Sequence, residues 1–372
     1  MIELFAVLNG KILEDLGDEV SATYTRIHYL LNGLKEYPDI EVKCIGYKHR
    51  PGKNFAVILI NNLIKTEVAI RTAWLLIRDR PIAYFAYPHS LTTIQNRVIF
   101  LLCRSLRLRI VLDIHDTIEQ ASVIGAGRAT LNERHEGGYF KDGTLILALN
   151  HPMWNSLVRK YQISHDKQVI FLPNAYEEIL CELYPHIYKS SKNRFNICYL
   201  GGLTKNRGID ILVDACKNLH EEFPYLRLHL FGSYGEGFST ELKDAIERSS
   251  YISRRLVPRK NLHRALIDID LFVMPYDPRE SYMNFSSPMK LFEYIGTAKP
   301  ILCTKCESLL GIGREGGIVY TGYSLDEMVE NIKILIDEPE KREEASRHLY
   351  KIRPSYTWRE RAKTLHDALM SL

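Results

Sequence analysis

Two short segments of this 372-residue chain place cations where they can hold an anion. The first runs from Tyr199 to Leu212 (YLGGLTKNRGIDIL) and reads as a strand, a glycine turn, two cations and a helix. Glycines such as Gly202 let backbone approach a ligand closely, and a following helix start favours negative charge. Lys205 and Arg207 add positive charge beside the turn, and an arginine fork can grip two phosphate oxygens. A turn of this kind also serves plain α/β connections, and its spacing is neither that of a Walker loop nor that of a dinucleotide fingerprint. The second segment runs from Ser286 to Ile295 (SSPMKLFEYI). Ser287 reads as a helix N-cap and Pro288 as the first helical residue. Lys290 then sits in the first turn, where a cation works against the helix dipole. An anion at the helix start, with Lys290 closing on it, resolves that conflict. Glu293 follows on the same face and can accept two hydrogen bonds from a ribose diol; the plain alternative is a Lys290–Glu293 surface pair.

The elements that must position these groups alternate strand and helix. Strands are expected at Glu3–Leu8, Glu41–Tyr47, Ala83–Ala86, Arg109–Ile114 and Thr144–Ala148. A second series is expected at Gln168–Phe171, Asn196–Leu200, Arg227–Phe231, Leu271–Met274, Pro300–Cys303 and Gly317–Val319. Helical periods fill the gaps, among them Ala22–Lys35, Asn61–Ile77, Thr92–Leu106, Ile209–Glu222, Glu241–Ser249 and Leu325–Asp337, with a last helix at Trp358–Leu372. Such alternation predicts parallel sheets with crossover helices. Two series predict two doubly wound units that bind ligands at the carboxyl ends of their strands, with a hinge at Pro173–Asn174.

Composition narrows the class. With 46% hydrophobic and 25% charged residues the chain is ordinary globular protein, long enough for two domains. Its longest apolar runs, Ala56–Ile60 and Val98–Cys103, are far short of a bilayer span. Met1–Gly10 lacks a basic lead and reads as a first strand. Seven scattered cysteines are expected in a reduced, cytoplasmic protein. The pair Cys303 and Cys306 lacks a second ligand pair for zinc, and Asp268–Asp270 runs straight into an apolar strand, so no metal is expected. A net charge of +4 argues for no nucleic acid. The charge is nevertheless uneven. Between Lys48 and Arg109, eleven basic residues face only Glu67 and Asp79. On amphipathic helices this excess suits either plain solvation or an anionic membrane surface.

Taken together in order, the two cationic segments and six further pieces resemble retaining GT-B glycosyltransferases, most like family 4 (group 1). The further pieces are Leu112–Asp116, Val169–Ala175, Leu228–Gly232, Asp270–Pro275, Lys299–Leu302 and Tyr356–Arg361. The resemblance implies an α/β protein of two Rossmann-like doubly wound domains facing a central cleft. Residues 1–172 would bind the acceptor and residues 173–355 the nucleotide-sugar, with the helix at 356–372 packing back on the first domain. It places the donor diphosphate on Arg207, Lys290 and the Pro288–Met289 amides, with Gly202, Lys205, Gly232 and Ser287 around them. Glu293 matches the ribose-binding glutamate. The partner glutamate eight positions earlier is replaced by Phe285, which leaves Asn284 or Ser286 to face the donor sugar. His115 matches a histidine beside the transferred sugar, Asp116 orients its loop, and Glu119 reaches the acceptor; the plain reading of His115 is a satisfied strand-end histidine. Gly17 matches the glycine loop of the first domain.

The implied activity is transfer of a sugar from a UDP- or GDP-sugar to an acceptor hydroxyl with retention, with neither cofactor nor metal. The implied setting is polysaccharide, glycolipid or surface-antigen assembly on a glycan or lipid-linked saccharide, peripherally at the cytoplasmic membrane face. Three other readings stay open: a catalytically weak scaffold subunit, a sugar-nucleotide epimerase or other non-transferase on the same fold, and a nucleic-acid-binding module that rests only on the basic stretch.

Overall fold

The computed structural model describes residues 1–10, 21–47, 50, 52, 54–118, 120, 133–189, 194–235, 237–312 and 316–372, and only the backbone of 133, 134, 205 and 281. The chain divides into two compact units, Met1–Pro173 with Arg361–Leu372, and Asn174–Glu360.

The first unit is built on β1 (Ile2–Val7), β2 (Ile40–Lys43), β3 (Ile82–Tyr87), β4 (Ile110–Ile114), β5 (Leu145–Ala148) and β6 (Gln168–Phe171). They form one parallel sheet in the order β2-β1-β3-β4-β5-β6. Every residue of β3 and β4 is buried, as expected for central strands covered on both faces. The helices used below are α1 (Ala22–Leu34), α2 (Phe55–Asp79) and α3 (Ile94–Ser105). The helix Trp358–Met370 contributes its last three turns to this unit. His366 stacks on Tyr37 at 4.0 Å and bonds Asp39 at 3.0 Å.

The second unit holds β7 (Phe195–Leu200), β8 (Leu226–Phe231), β9 (Ile252–Arg255), β10 (Leu271–Met274), β11 (Ile301–Thr304) and β12 (Ile318–Thr321). Their order is β12-β11-β10-β7-β8-β9, again all parallel. Its core is continuous from Tyr176 to Ile352 and includes Tyr199, Tyr276 and Tyr294.

Three expectations are corrected. Gln168–Phe171 does not open the second series; β6 pairs with β5 and closes the first sheet. The strand expected at 41–47 stops at Lys43, the last residue paired with β1. β9 was not expected: Ile-Ser-Arg-Arg has one apolar residue, because it is an edge strand whose charges face solvent.

Candidate functional site

In the second unit the strand order reverses between β7 and β10, and in open parallel sheets ligands bind outside the carboxyl ends of the strands at such a point. The chain leaving β7 carries Gly201 to Arg207, and the chain leaving β10 carries Pro275 and Tyr276. The helix Met289–Thr297 brings Lys290 to the same place. Gly201 has φ +114°, and a Cβ added there would lie 2.6 Å from the Lys290 Nζ. The missing side chain is therefore what makes room for the ammonium. A Cβ on Gly232 would fall 2.0 Å from the Gly201 carbonyl oxygen, so the two turns pack backbone to backbone.

Lys290 Nζ donates to the Tyr199 hydroxyl at 2.8 Å and lies 4.0 Å from the centre of that ring. It is also 5.4 Å from the Tyr276 ring centre, and the Arg207 guanidinium is 4.8 Å from the same centre. Two cations thus share one aromatic ring. Burial, and then the charge of Arg207, hold the Lys290 pKa well below the usual lysine value; Glu293 pulls it back up. The Tyr276 hydroxyl is buried with the Arg207 guanidinium as its polar neighbour, a donor that leaves the hydroxyl's own proton without an acceptor. An entering anion would relieve the repulsion between the cations and offer that hydroxyl an acceptor.

The helix start differs from the expected one. Pro288 is the residue before the helix and Met289 its first member. Ser287 does not cap it: its hydroxyl accepts the Asn174 N–H at 3.1 Å, and Asn174 Nδ2 donates to the Ser287 carbonyl at 2.6 Å. Tyr294 of the same helix accepts the Leu200 N–H at 2.8 Å, which ties the helix to the end of β7. Glu293 pairs with Arg259 at 3.9 Å rather than with Lys290, and burial raises its pKa. Arg259 in turn donates to Glu177 at 2.6 Å. Asn284 and Ser286 are engaged by their own surroundings. Asn284 donates to the Pro278 carbonyl and accepts the Glu307 N–H, both at 2.9 Å. Ser286 donates to the Met283 carbonyl at 2.9 Å. Lys205 opens the short turn Lys205–Arg207, with its side chain outside the described residues.

The first unit has its own reversal, between β1 and β3. Beyond those ends lie Asn9 and His89, with His115 beyond β4. His115 Nε2 bonds Asp113 Oδ2 at 2.8 Å. Arg26 of α1 forks onto the same carboxylate through Nε at 3.0 Å and a terminal nitrogen at 2.8 Å, and Tyr84 donates to it at 2.6 Å. Burial opposes charge on Asp113, but Arg26 and His115 together hold its pKa well below the usual carboxylate range. An ionised Asp113 takes the Nε2–H of His115, which leaves Nδ1 as the chemically available nitrogen. That atom is buried and unbonded among the described residues, as is His89 Nε2. Burial, then the neighbouring His115, lowers His89 to about 4. Asp116 is half-buried beside this cluster in sequence. Gly17 and Glu119 lie outside the described residues.

Sequence reasoning missed Tyr199, Tyr276, Arg26 and His89. Tyr199 stood in the quoted run, but strand alternation marks it only as buried. Arg26 lies in an amphipathic helix, and nothing local in sequence marks a buried arginine. A groove of about 710 Å³ also lies on the second unit, between β8–β9 and the helix Arg259–Ala265, lined by Arg194, His229, Arg255 and Asp268 among others. Neither Lys290 nor Arg207 lines it.

Two parallel, doubly wound units of this kind make the GT-B fold. Within it, residues 194–338, all in the second unit, match the family described as glycosyl transferases group 1. Solved structures agree on the fold over the whole chain. An α,α-trehalose-phosphate synthase (UDP-forming) from Burkholderia xenovorans, in complex with glucose-6-phosphate, superposes with a TM-score of 0.67 at 10% identity, covering 99% of each chain. A glycosyltransferase from Rickettsia africae gives 0.65 at 14%, covering 100% of this chain and 98% of its own. TarM gives 0.56 at 10%, covering 81% and 58%. At these identities the likeness carries the fold alone. The comparison with curated protein sequences gave no match.

Proposed function

We propose that this protein is a glycosyltransferase that moves a sugar from a nucleoside diphosphate sugar to an acceptor hydroxyl with retention of configuration. The observation that carries the reading is the pair of cations, Lys290 and Arg207, gathered over Tyr276 at the glycine turn of the segment that matches group 1. The bond from the anomeric carbon to the diphosphate breaks, and the bond to the acceptor oxygen forms. Charge develops on the departing diphosphate, and preorganised cations in a desolvated site stabilise it most effectively. The helix start at Met289 adds its N–H groups to the same end. Glu293, held by Arg259, is the ribose acceptor in this reading. The acceptor proton passes to a donor phosphate oxygen, so no enzymic nucleophile is named and no metal is required.

His115, which the resemblance matches to a histidine beside the transferred sugar, is the first unit's residue in this reading. Asp116 and the outlying Glu119 and Gly17 keep their assignments to acceptor and loop as proposals. UDP-sugars are the first donors to try, because two of the similar structures are of UDP-forming enzymes; GDP-sugars follow. The acceptor is a saccharide on a lipid carrier, in polysaccharide, glycolipid or surface-antigen assembly at the cytoplasmic membrane face, supported by the basic stretch 48–109.

Transfer from a panel of UDP- and GDP-sugars to lipid-linked saccharides, followed by product anomer analysis, tests this. Lys290→Ala and Arg207→Ala are each expected to lower turnover about 10²–10³-fold. Wild-type turnover in both variants would remove the assignment. One observation favours a second reading: Phe285 stands where the family has a glutamate, and Asn284 and Ser286 are tied into their own loop. A scaffold subunit would bind nucleotide and transfer nothing.

A further inference from the structure

The helix α2 is apolar on two sides. Of its 25 residues only Thr72 and Leu76 are buried. At about 100° per residue, Phe55, Leu59, Leu63, Ile70, Trp74 and Ile77 fall within one arc of roughly 100°, turned away from that pair. All six are exposed: Leu63 by 62%, Ile70 by 65% and Trp74 by 57%, for example. A surface helix ordinarily keeps such a stripe for its own core. Helix α3 extends the surface with exposed Ile94, Val98 and Leu101, while Ile99, Phe100 and Cys103 face inward. The two helices meet where Gln95 Nε2 donates to Thr66 Oγ1 at 3.4 Å, and Thr66 lies within the same arc. An exposed apolar surface this large marks a site of protein or membrane interaction.

The charge around the stripe chooses the occupant. From 54 to 109 the chain carries eight basic residues and two acidic ones. Both acids are already paired, Glu67 with Arg71 at 3.7 Å and Asp79 with Arg78 at 2.5 Å. Arg71 and Arg78 border the stripe on α2, and Arg78 also covers the Trp74 ring at 4.3 Å. Arg104 is exposed on α3 and Arg107 just past its end. A second copy of this chain, docked about a two-fold axis, would set this cationic face against itself. An anionic bilayer offers opposite charge outside and apolar chains within. No helix among the described residues is long and apolar enough to cross a membrane, so such a helix lies in the interface plane.

We propose that the α2–α3 face of the first unit docks on an anionic bilayer surface, with the Trp74 stripe entering the boundary between headgroups and acyl chains and Arg71, Arg78 and Arg104 exchanging their carboxylate partners Glu67, Asp79 and Asp142 for lipid phosphates. This surface gives the lipid-linked acceptor of the proposed function a place to be met. Its test contains neither nucleotide nor saccharide, so the two readings fail separately.

Trp74 is the natural reporter, because Trp154 and Trp358 are buried. The full chain is mixed with vesicles of phosphatidylcholine, with or without phosphatidylglycerol, and with brominated acyl chains as quenchers. The expected result is a blue shift and quenching of emission with phosphatidylglycerol only, lost in Trp74→Phe and retained in Lys290→Ala. Each basic residue near the surface contributes about fivefold to partitioning, so Arg71→Gln, Arg78→Gln and Arg104→Gln together should weaken it on the order of a hundredfold. The exposed pair Leu63→Ser and Ile70→Ser should abolish binding without moving the melting temperature. Three results overturn the proposal: no binding to anionic vesicles, binding that leaves Trp74 emission unmoved, or self-association abolished by the serine pair in a protein that ignores vesicles.

Discussion

Gly201→Ala is the perturbation that most directly reads the construction of the cationic site. Its φ of +114° is a conformation that side chains rarely adopt, costing on the order of 1–3 kcal/mol. The added carbon would also sit 2.6 Å from Lys290 Nζ and 3.0 Å from its Cε. The ammonium must then leave the Tyr199 hydroxyl and ring. At about 2–4 °C per kcal/mol for a unit of this size, the melting temperature should fall by roughly 2–12 °C. If Lys290 holds the diphosphate, losing one charge-assisted hydrogen bond of about 1.5–3 kcal/mol weakens a nucleoside diphosphate about 10–150-fold. Gly202→Ala is the control for stability: no atom lies within 4 Å of its added carbon and its φ is not positive. Its stability should stay within about 0.5 kcal/mol of wild type. Thermal melts and nucleoside diphosphate titrations of both variants are the assay. Equal melting temperatures for the two, with undiminished nucleotide affinity in Gly201→Ala, would refute the reasoning.

Further predictions concern the first unit. Arg26→Met strands the buried Asp113 carboxylate with His115 and Tyr84, and should cost about 3–5 kcal/mol in chemical denaturation. Arg104→Ala, whose partner Asp142 is 3.4 Å away on the surface, should cost less than about 1 kcal/mol. A similar loss in both variants would contradict the buried-pair account. His89 has a folded pKa of about 4 against an ordinary 6.5, so the unfolded chain binds more protons between those values. Its contribution is complete above pH 6.5 and is lost as pH falls through about 4. Denaturation midpoints measured across that window should slope less in His89→Gln; an unchanged slope would place the acid sensitivity elsewhere.

Much of the fold is legible because its strands are short apolar runs between helical periods. Central strands such as β3 and β4 announce themselves, since both faces are covered. The edge strand β9 does not, because its side chains answer to solvent as much as to the sheet. Register and sheet membership also escape sequence: Gln168–Phe171 reads equally well as the end of one unit or the start of the next, and only its pairing with β5 decides. At the site, Lys290 and Arg207 were legible through a local conflict, a cation at a helix start and a glycine turn flanked by charge. Their aromatic platform was not, because Tyr199 and Tyr276 are 77 positions apart and meet only through the β7–β10 neighbourhood. Ser287 misled because a serine before proline satisfies every local rule for a cap. A long-range partner, Asn174, takes its hydroxyl instead. The Asp113 cluster was similarly hidden, as Arg26 arrives from 87 residues away.

The central claim is that the second unit binds the diphosphate of a nucleotide-sugar between Lys290 and Arg207. Isothermal titration of UDP and GDP into the full chain without metal, beside Lys290→Ala, tests it most directly. The account predicts selective binding of one nucleotide and its loss in the variant, because the buried Lys290 charge is the anion's partner. Binding of equal strength in wild type and Lys290→Ala, or no binding of either nucleotide to folded protein, would contradict it.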